Sequence, residues 1–171
     1  MLKQYNYTFN SNSGYYSFIT KRQIEYRVAF YEDFTLESCI NKDRELGNVY
    51  QITIDKIGPE PALYDVMVSK TIKNIVIAFF ENIQDALIYI CDDNDKKAFQ
   101  RFSAFDRWYN NSSMTDYIKK LNNIIQFDLD NETIKLYTSL MFHKDNSNTK
   151  NIEAAFNNIE NALNEKNHSL L

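Results

Sequence analysis

The hydrophobic pattern changes period once, at Gly58-Pro59-Glu60-Pro61, and that change constrains the fold more than any other feature of the chain. Before it, apolar and polar residues alternate. Tyr5, Tyr7 and Phe9 interleave with Asn6, Thr8 and Asn10, Ser11-Asn12-Ser13-Gly14 offers turn chemistry, and 15–20 reads as the return strand of a hairpin. Ile24, Tyr26, Val28 and Phe30 alternate with Glu25, Arg27 and Ala29, the signature of a half-buried antiparallel strand. The polar segment 32–47 reads as a loop with a short helical turn. A further strand over 48–57 places Tyr50, Ile52 and Ile54 on one face.

Beyond the break the spacing becomes helical. Asp65 is placed to cap a helix whose stripe is Val68, Ile72, Ile75, Val76, Phe79 and Phe80. The apolar run 86–91 is too short for a helix and reads as an interior strand covered on both faces. Asp92-Asp93-Asn94-Asp95 should turn the chain and cap a helix over 96–109, with Ala98, Phe99, Phe102, Phe105, Trp108 and Tyr109 as its buried stripe. Segment 110–116 shows no pattern. Strands over 123–129 and 133–142 form a hairpin across Asp130-Asn131, the second placing Ile134, Leu136, Leu140 and Phe142 on one face. A last helix over 148–166 turns Ile152, Ala155, Phe156, Ile159, Ala162 and Leu163 inward, with 167–171 frayed. The order β-β-β-β-α-β-α-β-β-α predicts an α+β fold in one domain over 1–171. Its core would be a mainly antiparallel sheet of about six to seven strands, with three helices packed on one face.

Composition removes several function classes. The chain has 171 residues with three glycines and two prolines, all within the first 61, so no glycine-rich phosphate cradle can be built. Two histidines, His143 and His168, are too few for a multi-histidine zinc site, and no cofactor is implied. Nineteen Lys and Arg against 23 Asp and Glu give a formal charge of −4, which disfavours duplex DNA as a partner. Cys39 and Cys91 are far apart, with no disulfide framework, and point to a reducing cytoplasm. The first residues lack the apolar core of a signal peptide, and the longest strongly apolar stretch, 75–80, is too short to span a bilayer. A cytoplasmic protein with no membrane partner is expected.

Four stretches carry candidate chemistry. Asp92 and Asp95 follow a central strand, where carboxylates could hold a hard cation such as magnesium, although Asp and Asn equally make turns and caps. The calcium-loop pattern, with its glycine and distal glutamate, is absent. On the following helix, Lys97 and Arg101 lie one turn apart with Arg107 on a neighbouring face; interleaved with aromatics they could hold phosphate, or simply rim a core. His143, in His143-Lys144-Asp145-Asn146, is the imidazole available as a general acid or base. A serine triad lacks its G-x-S-x-G elbow. If the strands over 86–91 and 133–142 ended at one rim, Asp92, Arg101 and His143 would converge there. Finally, Tyr7, Tyr16, Tyr26 and Tyr50 lie in the N-terminal strands, where tyrosine serves either an interface or simple strand formation.

The run ALIYICDDNDKKAFQRFSAFDRW over 86–108, with Leu140-Met141-Phe142-His143-Lys144-Asp145-Asn146 later, resembles a family of short bacterial proteins known only as a domain of unknown function. There an apolar strand ends in Cys-Asp, an Arg and an aromatic follow on a helix with a later Trp, and a further strand ends in His-Lys. The matching positions are Cys91, Asp92, Arg101, Phe105, Trp108, His143 and Lys144. The resemblance implies a cytoplasmic bacterial protein and no particular activity.

The expectation that follows is a non-enzymatic interaction or accessory, neutralising partner domain. It would act through a tyrosine-rich sheet or an acidic surface, on a protein partner or a second copy of itself. The alternative is a metal-dependent hydrolase or nuclease, with Asp92 and Asp95 as metal ligands, Arg101 as anion clamp and His143 as acid or base. A third reading, single-stranded nucleic acid on the tyrosine face, must overcome the negative charge.

Overall fold

The computed structural model describes residues 4–41, 44–58, 64–91, 96–129 and 132–162. The elements are β1 (Thr8–Asn10), β2 (Tyr15–Ile19), β3 (Glu25–Glu32), a 3-10 turn (Thr35–Cys39), β4 (Val49–Ile57), α1 (Val66–Phe79), β5 (Ala86–Cys91), α2 (Ala98–Asn110), α3 (Met114–Tyr117), β6 (Ile118–Leu129), β7 (Glu132–His143) and α4 (Thr149–Asn157). The seven strands form one sheet in the order β1-β2-β3-β4-β5-β7-β6. This is the α+β, mainly antiparallel sheet that alternation predicts. One pairing is parallel, Val49 beside Ala86 through Gln51 beside Ile88, and it needs the long return that holds α1. The 3-10 turn falls in the segment read as a loop with a short helical turn, α3 is an addition to the predicted order, and β6 begins five residues before its predicted start.

The chain falls into two compact units, Met1–Tyr31 with Ile52–Asn82, and Glu32–Gln51 with Ile83–Leu171. In the first, Gly14 closes the β1–β2 hairpin at a φ of +71°, its N–H donating to the Asn10 carbonyl while the Asn10 side chain accepts from the N–H groups of Asn12 and Ser13. Asp65 caps α1 as predicted, accepting from Met67 N–H at 2.8 Å and from the Tyr5 hydroxyl at 2.6 Å. Burial of the Asp65 carboxyl works against its charge, but these hydrogen bonds prevail and hold its pKa below the usual value. Tyr5 N–H in turn donates to Thr71 Oγ1 on α1.

In the second unit β5 is buried on both faces. Ala86 and Ile88 share one face with Leu140 and Phe142 of β7, in a core closed by Leu36, Cys39, Ile152, Ala155 and Phe156. Leu87, Tyr89 and Cys91 point the other way, where Phe102 and Phe105 of α2 lie against Tyr89 and Phe99 and Phe102 lie against Tyr137. Helices α4 and α2 therefore cover opposite faces, which corrects the expectation of helices on one face. A strand apolar at every position must be covered twice, and one helical layer cannot do it. The stripe predicted for α2 is also corrected. Only Ala98 is buried in that helix, Phe99 is 58% exposed, and Phe102, Phe105, Trp108 and Tyr109 are half-buried. Lys97 stands at its N-cap position, and Asp92-Asp93-Asn94-Asp95, expected to cap this helix, lie outside the described residues.

Candidate functional site

The most unusual chemistry in the described residues lies where α2 crosses the edge of the sheet. Strand alternation on β6 sends Ile118, Lys120, Asn122 and Ile124 to the α2 face, opposite His143, Met141, Ser139 and Tyr137 of β7. Lys120 thus turns under the helix. Its side chain is 2% exposed, and its Nζ donates to Asp106 Oδ1 at 2.8 Å and to Asn122 Oδ1. Rings of Phe102, Tyr89 and Tyr109 surround the ammonium at 5.5, 5.7 and 5.9 Å from their centroids. Asn122 Nδ2 donates to Asp106 Oδ1 at 3.0 Å, Ser139 Oγ donates to Asn122 Oδ1 at 2.6 Å, and Asn110 Nδ2 donates to Asp106 Oδ2 at 3.1 Å.

The electrostatics follow from this geometry. Burial lowers the Lys120 pKa, with the Asp106 carboxylate opposing it. Hydrogen bonds from Lys120 and then Asn122 hold the Asp106 carboxyl below its usual range. Tyr89 enters the same space from β5. Its hydroxyl is buried without a hydrogen bond among the described residues, and burial pushes its pKa strongly up. The Ser139 hydroxyl offsets this only in part, since it is directed to Asn122. The cluster ties α2 to β6 through a lysine stem lying in apolar surroundings with a satisfied head group.

The residues singled out from sequence are distributed otherwise. Asp92 and Asp95 lie outside the described residues. β5 ends at Cys91, opposite Tyr137, whereas His143 follows Phe142, opposite Ala86. Antiparallel pairing therefore puts Cys91 and His143 at opposite ends of the β5–β7 pair, roughly 20 Å of strand apart. Arg101 is half-buried in the first turns of α2, Lys97 and Arg107 are exposed, and His143 accepts from Asp145 N–H at 3.1 Å beside the Tyr117 ring. Tyr7, Tyr16 and Tyr26 are half-buried in ring contacts: Tyr7 and Phe9 against Tyr16, Tyr16 against Phe30, and Tyr26 stacked on Phe18. Tyr50 is half-buried on β4, opposite Leu87. An open cleft of about 740 Å³ lies elsewhere in the second unit, lined by Phe34, Glu37, Ser38, Ile40, Asn41 and Arg44 among others. Among the described residues no group of three or more His, Cys, Asp or Glu is placed to hold a metal ion.

Lys120 was not legible as a site residue. Its signal would have been the alternation Ile118-Lys119-Lys120-Leu121, which two adjacent charges obscure.

Residues 64–158 match the model of a family of unknown function, DUF6169. The chain belongs to that family. The resemblance noted in the sequence thus holds at the level of the family. For this DUF6169 member, the matched stretch runs from α1 to α4 and contains Lys120, its ring partners, Asp106 and the whole of β6. No curated protein matches the chain. No helix among the described residues is long and apolar enough to cross a membrane.

Proposed function

We propose that this DUF6169 protein is a non-enzymatic interaction module that takes a partner strand onto the outer edge of β6. The observation that carries the reading is the state of that edge. β6 has twelve residues, ends the strand order, and has no strand beside its outer side among the described residues. Such an edge is a template for further pairing unless charges, proline or a bulge blunt it. Here its register with β7 is unbroken, and from Leu121 to Gln126 it has no charge, glycine or proline. Its two lysines are both engaged inside the chain: Lys120 with Asp106, and Lys119 with Glu153 at 2.7 Å. Beside the edge lie three apolar side chains: Ile124, 44% exposed, Tyr137 opposite it on β7, and Phe99 against Tyr137. Strand addition of this kind takes affinity from main-chain bonds and selectivity from flanking side chains.

Affinity capture with the tagged full chain, run beside its Ile124→Lys variant, tests the reading. The expected result is a protein, either this chain or another, retained by the wild type and lost by the variant. Equal retention by both overturns it.

A further inference from the structure

We infer that the strand received by β6 is the β6 of a second copy of this chain, paired antiparallel about a two-fold axis at Ile124. The inference rests on reading β6 as an interaction edge and names the occupant. Two properties of the edge favour a copy of itself.

The first is the direction of the backbone groups. Asn123 turns its carbonyl toward β7, where Thr138 Oγ1 donates to it at 3.1 Å. Antiparallel strands alternate between residues bonded inward and residues bonded outward, so Asn122, Ile124 and Gln126 turn their N–H and C=O groups to the open side. A two-fold axis at Ile124 sets Ile124 against Ile124 and Asn122 against Gln126. Both of these pairs then join two outward-facing residues, and the pleat keeps both members on one face. A one-residue slip would break both conditions.

The second is the distribution of apolar surface. Among the β6 residues whose side chains are described, Ile124 is the large hydrophobic one that is exposed, and it stands near the middle of the strand. A residue on a two-fold axis meets itself, so an apolar side chain there is self-complementary where a charged one would repel. With Tyr137 and Phe99 behind it, each copy brings the same short apolar row, and the two rows meet end to end at the axis. Main-chain bonds set the register while this row supplies burial.

The purified full chain tests this by sedimentation, with three variants. The wild type is expected to be a dimer at roughly 100 µM, and Ile124→Lys a monomer of unchanged fold, since the side chain it replaces is exposed. Opposed residues of a hydrogen-bonded pair have Cα atoms about 5.5 Å apart, within disulfide range. Ile124→Cys should therefore crosslink to a covalent dimer under mild oxidation, and Gln126→Cys should not; Cys39 and Cys91 are buried and do not compete. A monomeric wild type overturns the second-copy inference, and so does crosslinking that is as efficient at 126 as at 124. A monomer that still retains a different protein, lost in Ile124→Lys, leaves the edge reading standing. A dimer that survives Ile124→Lys overturns both.

Discussion

At one end of the strand order stands β1, three residues long; at the other stands β6, with twelve. β1 is cut short by the turn that Asn10 and Gly14 close, and it offers few outward main-chain groups. β6 runs its full length against β7 without a bulge, and its guarding lysines are drawn into the molecule. The contrast shows that exposure alone does not make an interaction edge. Phe9 and Ile19 beside the short edge are more exposed than Ile124, yet the strand there is too brief to register a partner.

The largest expected effect comes from removing the platform under β6. Phe142 is fully buried in the second unit's core, beside Lys119 of β6. Phe142→Ala should cost about 3–5 kcal/mol by denaturant unfolding and strip hydrogen-exchange protection from β6. A loss below about 1 kcal/mol would show that the long edge does not stand on this core. Next is the lysine that turns away from the edge. Lys120→Ala should cost about 1–3 kcal/mol, while Lys120→Met, which keeps the stem between the rings, should recover most of it. Equal losses in the two variants would assign the effect to charge and not to packing.

On the side of the short edge, Asp65→Ala removes the α1 cap and the acceptor of the Tyr5 hydroxyl. It should cost about 1 kcal/mol and leave β6 amide exchange unchanged. Lowered exchange protection in β6 would mean that the two edges are coupled.

Acid should affect both regions in the same direction. Asp65 and Asp106 have folded pKa values below the ordinary 3.8. Their contribution is fully present above that value and is lost as pH falls through the lower folded values. Thermal melts across this range should show a smaller acid loss in Asp106→Asn than in the wild type; identical profiles would remove Asp106 from the account. The smallest effect on stability is expected for Ile124→Lys, within about 0.5 kcal/mol, even though that variant should abolish association. A large loss would show that Ile124 serves the fold and not an interface.

Much of the architecture was legible because local chemistry dictates it. The run at β5 appears as a strand at the predicted bounds, covered on both faces, and Asp65 caps its helix. Other features were not legible for identifiable reasons. Lys119-Lys120 broke the apolar alternation, so the first five residues of β6 fall outside the strand predicted over 123–129. The α2 aromatics have helical spacing whether they fill a core or lie half-open over Tyr89 and Tyr137. Spacing reports which side chains share a face; it carries no measure of how deep that face lies.

From the sequence alone came the class of fold, the positions of most elements, the exclusion of a glycine-rich phosphate cradle and the likeness to a family of unknown function. All of these depend on one residue's conformational preferences or on neighbours a few positions away. Tertiary structure decided that β5 and β7 run in opposite directions, which parts His143 from the rim reached by Cys91. It also decided that Lys120 meets Asp106, fourteen residues earlier in the chain. Such pairings depend on strand direction and register, and these are set when buried faces from distant segments are matched against one another.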